Sequence, residues 1–345
     1  MRRRRRRHTA MEVNHHHLQN QTRLTSTLLL PTTDGIDDQS PDLSQSERTV
    51  VASLNGVVAI VGLSGNLLVL LSILLSRKLR TAYNTLVFNV ALIDFTACLF
   101  LPWNMVALIG GQWTLPAWIC SLSGSIFLGG AGVSGNTLSF IALNRYSLVT
   151  GNLKWLRKNI RFTMCGMLLV SWCVPLVVVL IPNLTDFGEI GYDQKYSMCI
   201  WVSSNPLALE YNILLSVVFG FLPIVVTTIC YVKLFLFIQN HNRKIHALDK
   251  DTTDMSYGSG SGTLNRAISK RQVQVTINMF IVVCAFFLCF MPALIILVVQ
   301  DPSGRLLTYT GLILQCNSCI NPLIYTKNPE FRRSMGRIVQ CKRPV

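Results

Sequence analysis

The chain has 345 residues, of which 50% are hydrophobic and only 14% are charged, and its formal net charge is +15. Soluble domains usually carry about 25% charged residues, so this composition excludes an ordinary water-soluble globular protein. We expect no nucleic-acid partner, because the positive charge is concentrated in an N-terminal arginine run and in short segments between long uncharged stretches.

The uncharged stretches indicate membrane spans, since a helix needs about 20 apolar residues to cross the bilayer core. The stretch 81–144 contains one charged residue, Asp94, and is long enough for two helices and a short connection at 110–118. Five further stretches each hold one helix: 49–76, 162–185, 211–232, 272–300 and 306–326. The alternating pattern of a β-barrel is absent, so we predict an all-α membrane protein with a seven-helix bundle, whose helices are called spans 1–7 below.

Basic residues predict the orientation of the spans in the lipid bilayer. Lys and Arg follow spans 1, 3, 5 and 7, whereas the opposite loops contain only Lys195 and Arg305. Because cytoplasmic loops are enriched in Lys and Arg, we predict a multi-pass plasma-membrane protein with its N-terminus outside the cell. The arginine run within residues 1–8 disagrees with this orientation, and either the long tail crosses the membrane despite its charge or synthesis begins at Met11.

The chain divides into three predicted regions. Residues 1–48 form a polar, disordered extracellular tail, residues 49–327 form the membrane domain, and residues 328–345 form a short amphipathic segment and tail in the cytoplasm. Asn20 and Asn183 begin Asn-x-Thr tripeptides on the outer side and are candidate glycosylation sites. Cys341 lies in the basic tail and is either palmitoylated or a free thiol.

Two of the eleven cysteines have a distinct predicted location. Cys120 and Cys199 lie at the outer surface, where an oxidising compartment favours their pairing in a disulfide. Eight others lie within the spans, where cysteine usually serves as a small apolar residue.

Six polar residues within the spans require an explanation, since polar groups inside a bilayer are costly and often functional. They lie at similar depth and are predicted to converge in one layer: Asn66, Asp94, Ser134, Asn317, Ser318 and Asn321. One carboxylate among neutral oxygens suits a small hard cation such as sodium, and no other cofactor or metal is expected. The alternative is a hydrogen-bonded packing cluster in which Asp94 is protonated.

A series of short motifs occurs in order along the seven spans. They are GN (65–66), LIDF (92–95), NRY (144–146), FFLCFMP (286–292) and NPLIY (321–325), together with Cys120, Trp172, Cys199, Pro223 and Tyr231. Over about residues 50–340, this order resembles the class A, or rhodopsin-like, G-protein-coupled receptors. The resemblance implies a receptor rather than an enzyme, a Cys120–Cys199 disulfide that tethers the second outer loop, and a short cytoplasmic eighth helix at NPEFRRSMGRIV (328–339).

The resemblance also implies residues for coupling to a heterotrimeric G protein. Arg145 would lie at the cytoplasmic end of span 3, between Asn144 and Tyr146, and would contact the C-terminus of the G-protein α subunit when span 6 moves outward. Tyr231 and Tyr325 match the tyrosines that stabilise that open state. Activation is then a population shift between two helix packings, with ligand and G protein favouring the same one.

Three departures from the family pattern have physical consequences. Asn144 replaces the usual acid beside Arg145, and Gln272 stands where many relatives keep an acid on span 6. Both changes remove attraction between charges that would hold the resting state, so we predict raised basal signalling. Phe290 replaces the usual tryptophan on span 6, which makes that position apolar.

Longer segments resemble the melatonin-receptor branch of the family: IALNRY, CNSCINPLIY and YDQKYSMCIW. They also resemble the insect receptors called moody and trapped-in-endoderm and a mammalian medium-chain fatty-acid receptor. Asn183 is similar to an asparagine that touches ligand in melatonin receptors, but it lies one residue further from Trp172. The residues after Cys199 read IWVS, where melatonin receptors have Phe and Gln contacts. These departures argue against melatonin as the ligand, and we interpret the chain as an orphan-like relative.

The resemblance places a ligand pocket in the outer half of the bundle. Its predicted lining is Asn104, Ser123, Phe127, Leu128, Ala131, Asn183, Trp201, Tyr211, Asn212, Leu215, Phe290, Leu294 and Gln315. Span 3 has no acid near Phe127 to anchor an amine, so we expect a small, neutral and mostly apolar ligand. The alternative role for about half of these residues is helix packing.

Other functional classes fit the sequence less well. A secondary transporter usually contains internal repeats and broken helices at a midplane site, and neither is evident. A membrane enzyme would need a nucleophile with a base, or metal ligands, but all six histidines lie outside the spans. The remaining alternative is a constitutively active receptor without a dedicated ligand.

Overall fold

The computed structural model describes residues 43–185, 187–251, 260–299 and 304–341, without the side chains at 155, 157, 241–251, 260–275 and 279. The candidate glycosylation site Asn20 lies outside the described residues. Gln272 lies in a described helix, but its side chain is outside the described set.

Seven long helices confirm the predicted bundle. Spans 1–4 are Gln45–Leu75, Ala82–Gly110, Ala117–Thr150 and Ile160–Leu184; span 5 is Ala208–Leu215 continued by Ser216–Phe221 and Leu222–Asp251; span 6 is Gly260–Val299 and span 7 is Arg305–Tyr325. Among the described residues, 6 helices are long and apolar enough to cross a membrane. Span 7 has 21 residues and is less apolar because it carries several polar side chains of the predicted layer.

Span 1 begins at Gln45, inside the region predicted as the disordered tail. Ser44 and Glu47 form a capping box, in which the Ser44 hydroxyl accepts from the Glu47 N–H at 3.3 Å and the Glu47 carboxylate accepts from the Ser44 N–H at 2.8 Å. This pair satisfies two N–H groups that a helix start leaves open. Glu47 also pairs with Arg305 of span 7, and residues 45–48, predicted as part of the tail, belong to span 1.

Short elements connect the spans. A 3₁₀ helix, Arg77–Leu79, follows span 1, and a five-residue helix, Lys154–Lys158, lies between spans 3 and 4. In the second outer loop, strands β1 (Ile190–Asp193) and β2 (Met198–Trp201) form an antiparallel hairpin. The helix Pro329–Val339 confirms the predicted eighth helix.

Span 3 lies at the centre of the bundle and packs against spans 2, 4, 5 and 6. Its inward side chains are apolar, and Leu138 and Ile141 are each 1% exposed. Outward side chains are also apolar, as shown by Phe162 on span 4, which is 80% exposed. Such a surface fits a hydrocarbon environment, where each helix satisfies its own backbone hydrogen bonds.

Span 5 contains an irregular turn near its middle. Residues Ser216–Phe221 are π-helical and directly precede the turn that contains Pro223. Proline has no N–H to donate to the residue four positions earlier, and π-helical turns often occur where the regular ladder is interrupted. The irregular turn places Phe219 against span 3, where it contacts the position of Gly132.

Candidate functional site

Arg145 is buried near the C-terminal end of span 3, the end predicted to face the cytoplasm. It is 6% exposed, and its guanidinium carbon lies 3.6 Å from the centre of the Tyr83 ring on span 2. The ion pair found in the described part of the chain is Glu47–Arg305, at the opposite end of the bundle. Within that part, the Arg145 charge therefore lies against an aromatic face and not against a carboxylate.

Two buried tyrosines lie at the same end of the bundle. Tyr231 packs on Phe280 of span 6, and Tyr325 stacks on Phe331 of the eighth helix, with ring centres 5.1 and 5.8 Å apart. Neither tyrosine hydroxyl has a hydrogen-bond partner among the described residues. A buried hydroxyl without a hydrogen-bond partner is unfavourable, so a helix packing that gives these hydroxyls partners would have a lower free energy.

The two residues beside Arg145 in span 3 differ in their surroundings. Asn144 is half-buried. The Tyr146 hydroxyl accepts a hydrogen bond from the Asn152 amide at 3.1 Å, which joins span 3 to the second inner loop.

The structure brings spans 1, 2 and 7 together at Asp94. The carboxylate of Asp94 accepts from the Ser318 hydroxyl at 3.2 Å and from the Asn321 amide at 2.8 Å. The Asn66 amide donates to the Ser318 carbonyl oxygen at 2.9 Å. Asp94 is 4% exposed, so its hydrogen bonds come from protein groups.

A small cavity of about 40 Å³ adjoins this layer, and Asp94, Ser134, Asn317 and Ser318 line it. Space of this size admits a few water molecules or a partly hydrated ion. The Asn317 side-chain oxygen is buried and has no hydrogen-bond partner in the described structure. One carboxylate, one free amide oxygen and two hydroxyls are ligands that fit a hard monovalent cation.

Two further cavities lie in the outer half of the bundle. The first, of about 40 Å³, is almost entirely apolar, and its predicted lining residues are Phe127, Leu128, Ala131, Trp201, Leu215, Phe290 and Leu294. The second, of about 20 Å³, is lined by Asn104, Ser123, Phe127 and Gln315. Both polar atoms of the Gln315 side chain are buried without a partner among the described residues, which makes it the strongest hydrogen-bonding group available to a ligand.

The hairpin of the second outer loop closes the apolar cavity. All four residues of β2 are buried, and Met198, Ile200 and Trp201 line the cavity. Ligand pockets usually measure about 300–1,000 Å³, so the hairpin leaves much less room than a drug-sized molecule needs.

Several bonds hold the hairpin in this position. The structure confirms the Cys120–Cys199 disulfide, which ties β2 to span 3. The Ser121 hydroxyl donates to the Ile190 carbonyl oxygen at 2.7 Å, and the Thr308 hydroxyl of span 7 donates to the Tyr196 carbonyl oxygen at 3.2 Å. The hairpin is therefore attached to two sides of the bundle.

Three predicted pocket residues lie elsewhere. The Tyr211 hydroxyl donates to the Val178 carbonyl oxygen of span 4, and the Asn212 amide donates to the Leu297 carbonyl oxygen of span 6, both at 3.4 Å. These two residues join helices, the alternative role considered from the sequence. Asn183 is exposed at the outer end of span 4, outside both cavities.

The two candidate modification sites in the described residues are accessible. Asn183 is exposed on the outer side, as glycosylation requires. Cys341 is exposed two residues after the eighth helix.

Met198, Ile200 and Tyr83 were not among the residues predicted from the sequence. For the first two, a signal was present: alternate residues of a strand point to one side, and the cysteine between them is bound to span 3. Tyr83 had no comparable signal, because it lies 62 residues before Arg145.

Comparisons with known proteins agree with this geometry. The sequence profile described as "7 transmembrane receptor (rhodopsin family)" matches residues 65–325. Melatonin receptor type 1B of Rattus norvegicus is 27% identical over 328 residues, which cover 90% of this chain and 84% of that protein. The G-protein coupled receptor moody of Drosophila melanogaster is 24% identical over 87% of this chain. The matched region covers 52% of the moody sequence. The crystal structure of squid rhodopsin superposes with a TM-score of 0.74 at 18% identity and covers 86% of each chain.

Proposed function

Because the chain belongs to the rhodopsin family of seven-transmembrane receptors, we propose that it is a plasma-membrane receptor that activates heterotrimeric G proteins through its cytoplasmic end. Its N-terminus then lies outside the cell, as the distribution of Lys and Arg predicts. Family membership identifies a multi-pass membrane receptor of the melatonin-receptor and moody branch, not an enzyme.

The observation that carries this proposal is the arrangement around Arg145. Among the described residues, the Arg145 guanidinium has no carboxylate partner and two buried tyrosine hydroxyls have no hydrogen bond, all at one end of the bundle. Buried polar groups left unpaired favour an alternative packing that pairs them. An outward movement of span 6 would expose Arg145 to a G protein and would allow Tyr231 and Tyr325 to find new partners.

The ligand that this site supports is small, neutral and mostly apolar. The larger outer cavity is apolar, and Gln315 and Asn104 offer neutral hydrogen-bonding groups in the cavity beside it. A ligand larger than a few atoms must displace the β2 side chains, since the cavity measures about 40 Å³. Melatonin itself is not favoured, because Asn183 lies outside the cavities.

A second candidate function is signalling without a dedicated ligand. The buried β2 strand supports it, because Met198, Ile200 and Trp201 occupy space in which a diffusible ligand would otherwise bind. In that case the chain's own loop supplies the contacts that stabilise the signalling state. The absence of an acid next to Arg145 in the sequence also favours basal activity.

The test is G-protein activation across the Gα families in cells without added ligand, at matched surface expression. We expect wild type to signal above receptor-free cells and Asn144→Asp to lower that signal about two- to five-fold, because a carboxylate beside Arg145 forms a partly exposed ion pair. Asn159→Asp adds the same charge at an exposed site between spans 3 and 4 and serves as the control. An unchanged signal in Asn144→Asp would contradict the proposed cause of basal activity.

We also propose that the polar layer holds a sodium ion. Asp94, Ser134, Asn317 and Ser318 would coordinate it, and its charge would offset the buried carboxylate. Spans 2, 3 and 7 supply these groups, so the layer would resist separation of those helices.

The sodium proposal predicts a change in thermal stability. The melting temperature of purified receptor should rise by about 2–4 °C when sodium replaces an organic cation at tenfold its dissociation constant, since binding then contributes about 1.4 kcal/mol. Asp94→Asn should remove the difference, whereas Glu210→Gln, an exposed acid at the outer rim, should keep it. Equal melting temperatures of the wild type in both salts would count against the ion site.

A further inference from the structure

Arg145 has no carboxylate partner among the described residues, although a buried cation normally requires one. An ionised group inside a protein is strongly unfavourable unless it is paired, and Arg145 is only 6% exposed. Its Nε atom has no hydrogen-bond partner among the described residues. The Tyr83 ring, 3.6 Å from the guanidinium carbon, is the cation–π partner that the structure shows for Arg145.

Tyr83 is held rigidly enough to serve as that partner. It lies in the first turn of span 2, where the Thr81 hydroxyl caps the helix by accepting from the Asn84 N–H at 3.2 Å. The Asn84 amide donates to the Leu79 carbonyl oxygen at 2.7 Å, and Leu79 is 1% exposed. These bonds fix the start of span 2 on the preceding 3₁₀ helix and so fix the position of the ring.

The N-terminus of span 2 does not favour a cation beside it. The N-terminus of a helix carries a partial positive charge, and span 2 begins one residue before Tyr83. The negative face of an aromatic ring attracts a guanidinium more strongly when both are removed from water. The ring therefore supplies the attraction that Asn144, a neutral side chain, cannot supply.

We propose that Tyr83 is the positioning residue that keeps Arg145 in its resting place, in the role that an acidic neighbour would otherwise have. The inference rests on the proposed G-protein coupling, in which Arg145 must leave this place to meet the Gα subunit. Leaving the ring face breaks the cation–π contact, so the strength of that contact sets the population of the signalling state.

The experiment compares Tyr83→Leu, Tyr83→Phe and Tyr83→Trp in the ligand-free activation assay at matched surface expression. Leucine removes the ring face, and we expect basal activation to rise about thirtyfold, the ratio that corresponds to a desolvated cation–π contact. The phenylalanine and tryptophan variants keep a ring face, so their basal activation should stay within about twofold of wild type. This holds for phenylalanine although it lacks the hydroxyl. Phe88→Leu, on the same span, is the control for loss of a partly buried aromatic ring.

A second measurement separates this inference from the proposed function. Amide hydrogen exchange of residues 141–153 in purified receptor should be faster in Tyr83→Leu than in wild type, and unchanged in Tyr83→Phe. If exchange follows this order while no variant activates any G protein, the inference holds and the proposed function is wrong. If wild type signals but the leucine and phenylalanine variants behave alike in both assays, the ring face is not what holds Arg145, and the inference is wrong.

Discussion

Replacement of Arg145 by alanine is expected to reduce G-protein activation to the level of cells without the receptor. The guanidinium is the buried cation at the cytoplasmic end of span 3, and a contact made only in the signalling complex is lost entirely when the side chain is removed. The effect on folding should be small, because no described carboxylate pairs with Arg145 and none loses its partner when Arg145 is removed. Loss of an unpaired buried charge also removes a desolvation cost.

The measurement is Gα activation at surface expression matched to wild type. Arg161→Ala removes an exposed arginine at the start of span 4, on the same side of the membrane, and should retain the signal. This pair separates the specific contact from the general positive charge of the inner loops. A receptor that still activates the same Gα subunit after Arg145→Ala would rule out the proposed role of this residue.

Loss of the Cys120–Cys199 disulfide is expected to have the second large effect. The bond closes a sequence separation of 79 residues, for which the chain-entropy estimate of its contribution is about 4.5 kcal/mol. In this structure it also anchors β2, whose four residues are buried over the apolar cavity. Replacing both cysteines by serine should therefore lower the melting temperature and release the hairpin from the bundle.

Two measurements report separately on the stability that the disulfide contributes and on the position of the hairpin. Thermal unfolding of the purified Cys120→Ser/Cys199→Ser receptor reports the loss of stability, and Cys341→Ser is the matched control because that thiol is exposed and free. Trp201 is 2% exposed in β2, so its fluorescence should shift to longer wavelength if the hairpin leaves the cavity. If the melting temperature and the Trp201 emission wavelength both stay unchanged, the remaining hydrogen bonds are sufficient to hold the hairpin over the cavity.

Charge distribution alone was sufficient to predict the seven spans. A bilayer imposes a fixed length on each helix and excludes unpaired charges, so uncharged stretches of that length identify the spans. The rule identified span 7 as well, although that span is less apolar than the others. The start of span 1 was not predictable in the same way, because the capping box of Ser44 and Glu47 adds a polar turn beyond the hydrocarbon.

The polar layer was predicted from the similar depth of its residues along the spans, and helical periodicity explains the part that span 7 contributes. Asn317, Ser318 and Asn321 lie on one side of span 7, since residues three and four apart share a helix face. Depth along each span then brought Asp94 to the same level. The contact of Asp94 with Ser318 and Asn321 follows from these two rules.

The pocket was predicted only in part. Phe127, Leu128, Phe290 and Leu294 line the apolar cavity, whereas Tyr211 and Asn212 bond neighbouring helices. The rotation of a helix about its own axis decides which of its side chains face a cavity. In a helix that is apolar on all sides, the sequence pattern does not specify that rotation.

The sequence by itself therefore determined the membrane class, the seven spans, the polar layer and the pairing of Cys120 with Cys199. Only the tertiary structure decided that β2 fills the outer cavity and that Arg145 lies on Tyr83. The physical reason is the same for both: these contacts join segments far apart in the chain, and their geometry depends on the rotation and depth of packed helices and not on any local pattern. Local rules describe each helix, whereas the site arises between helices.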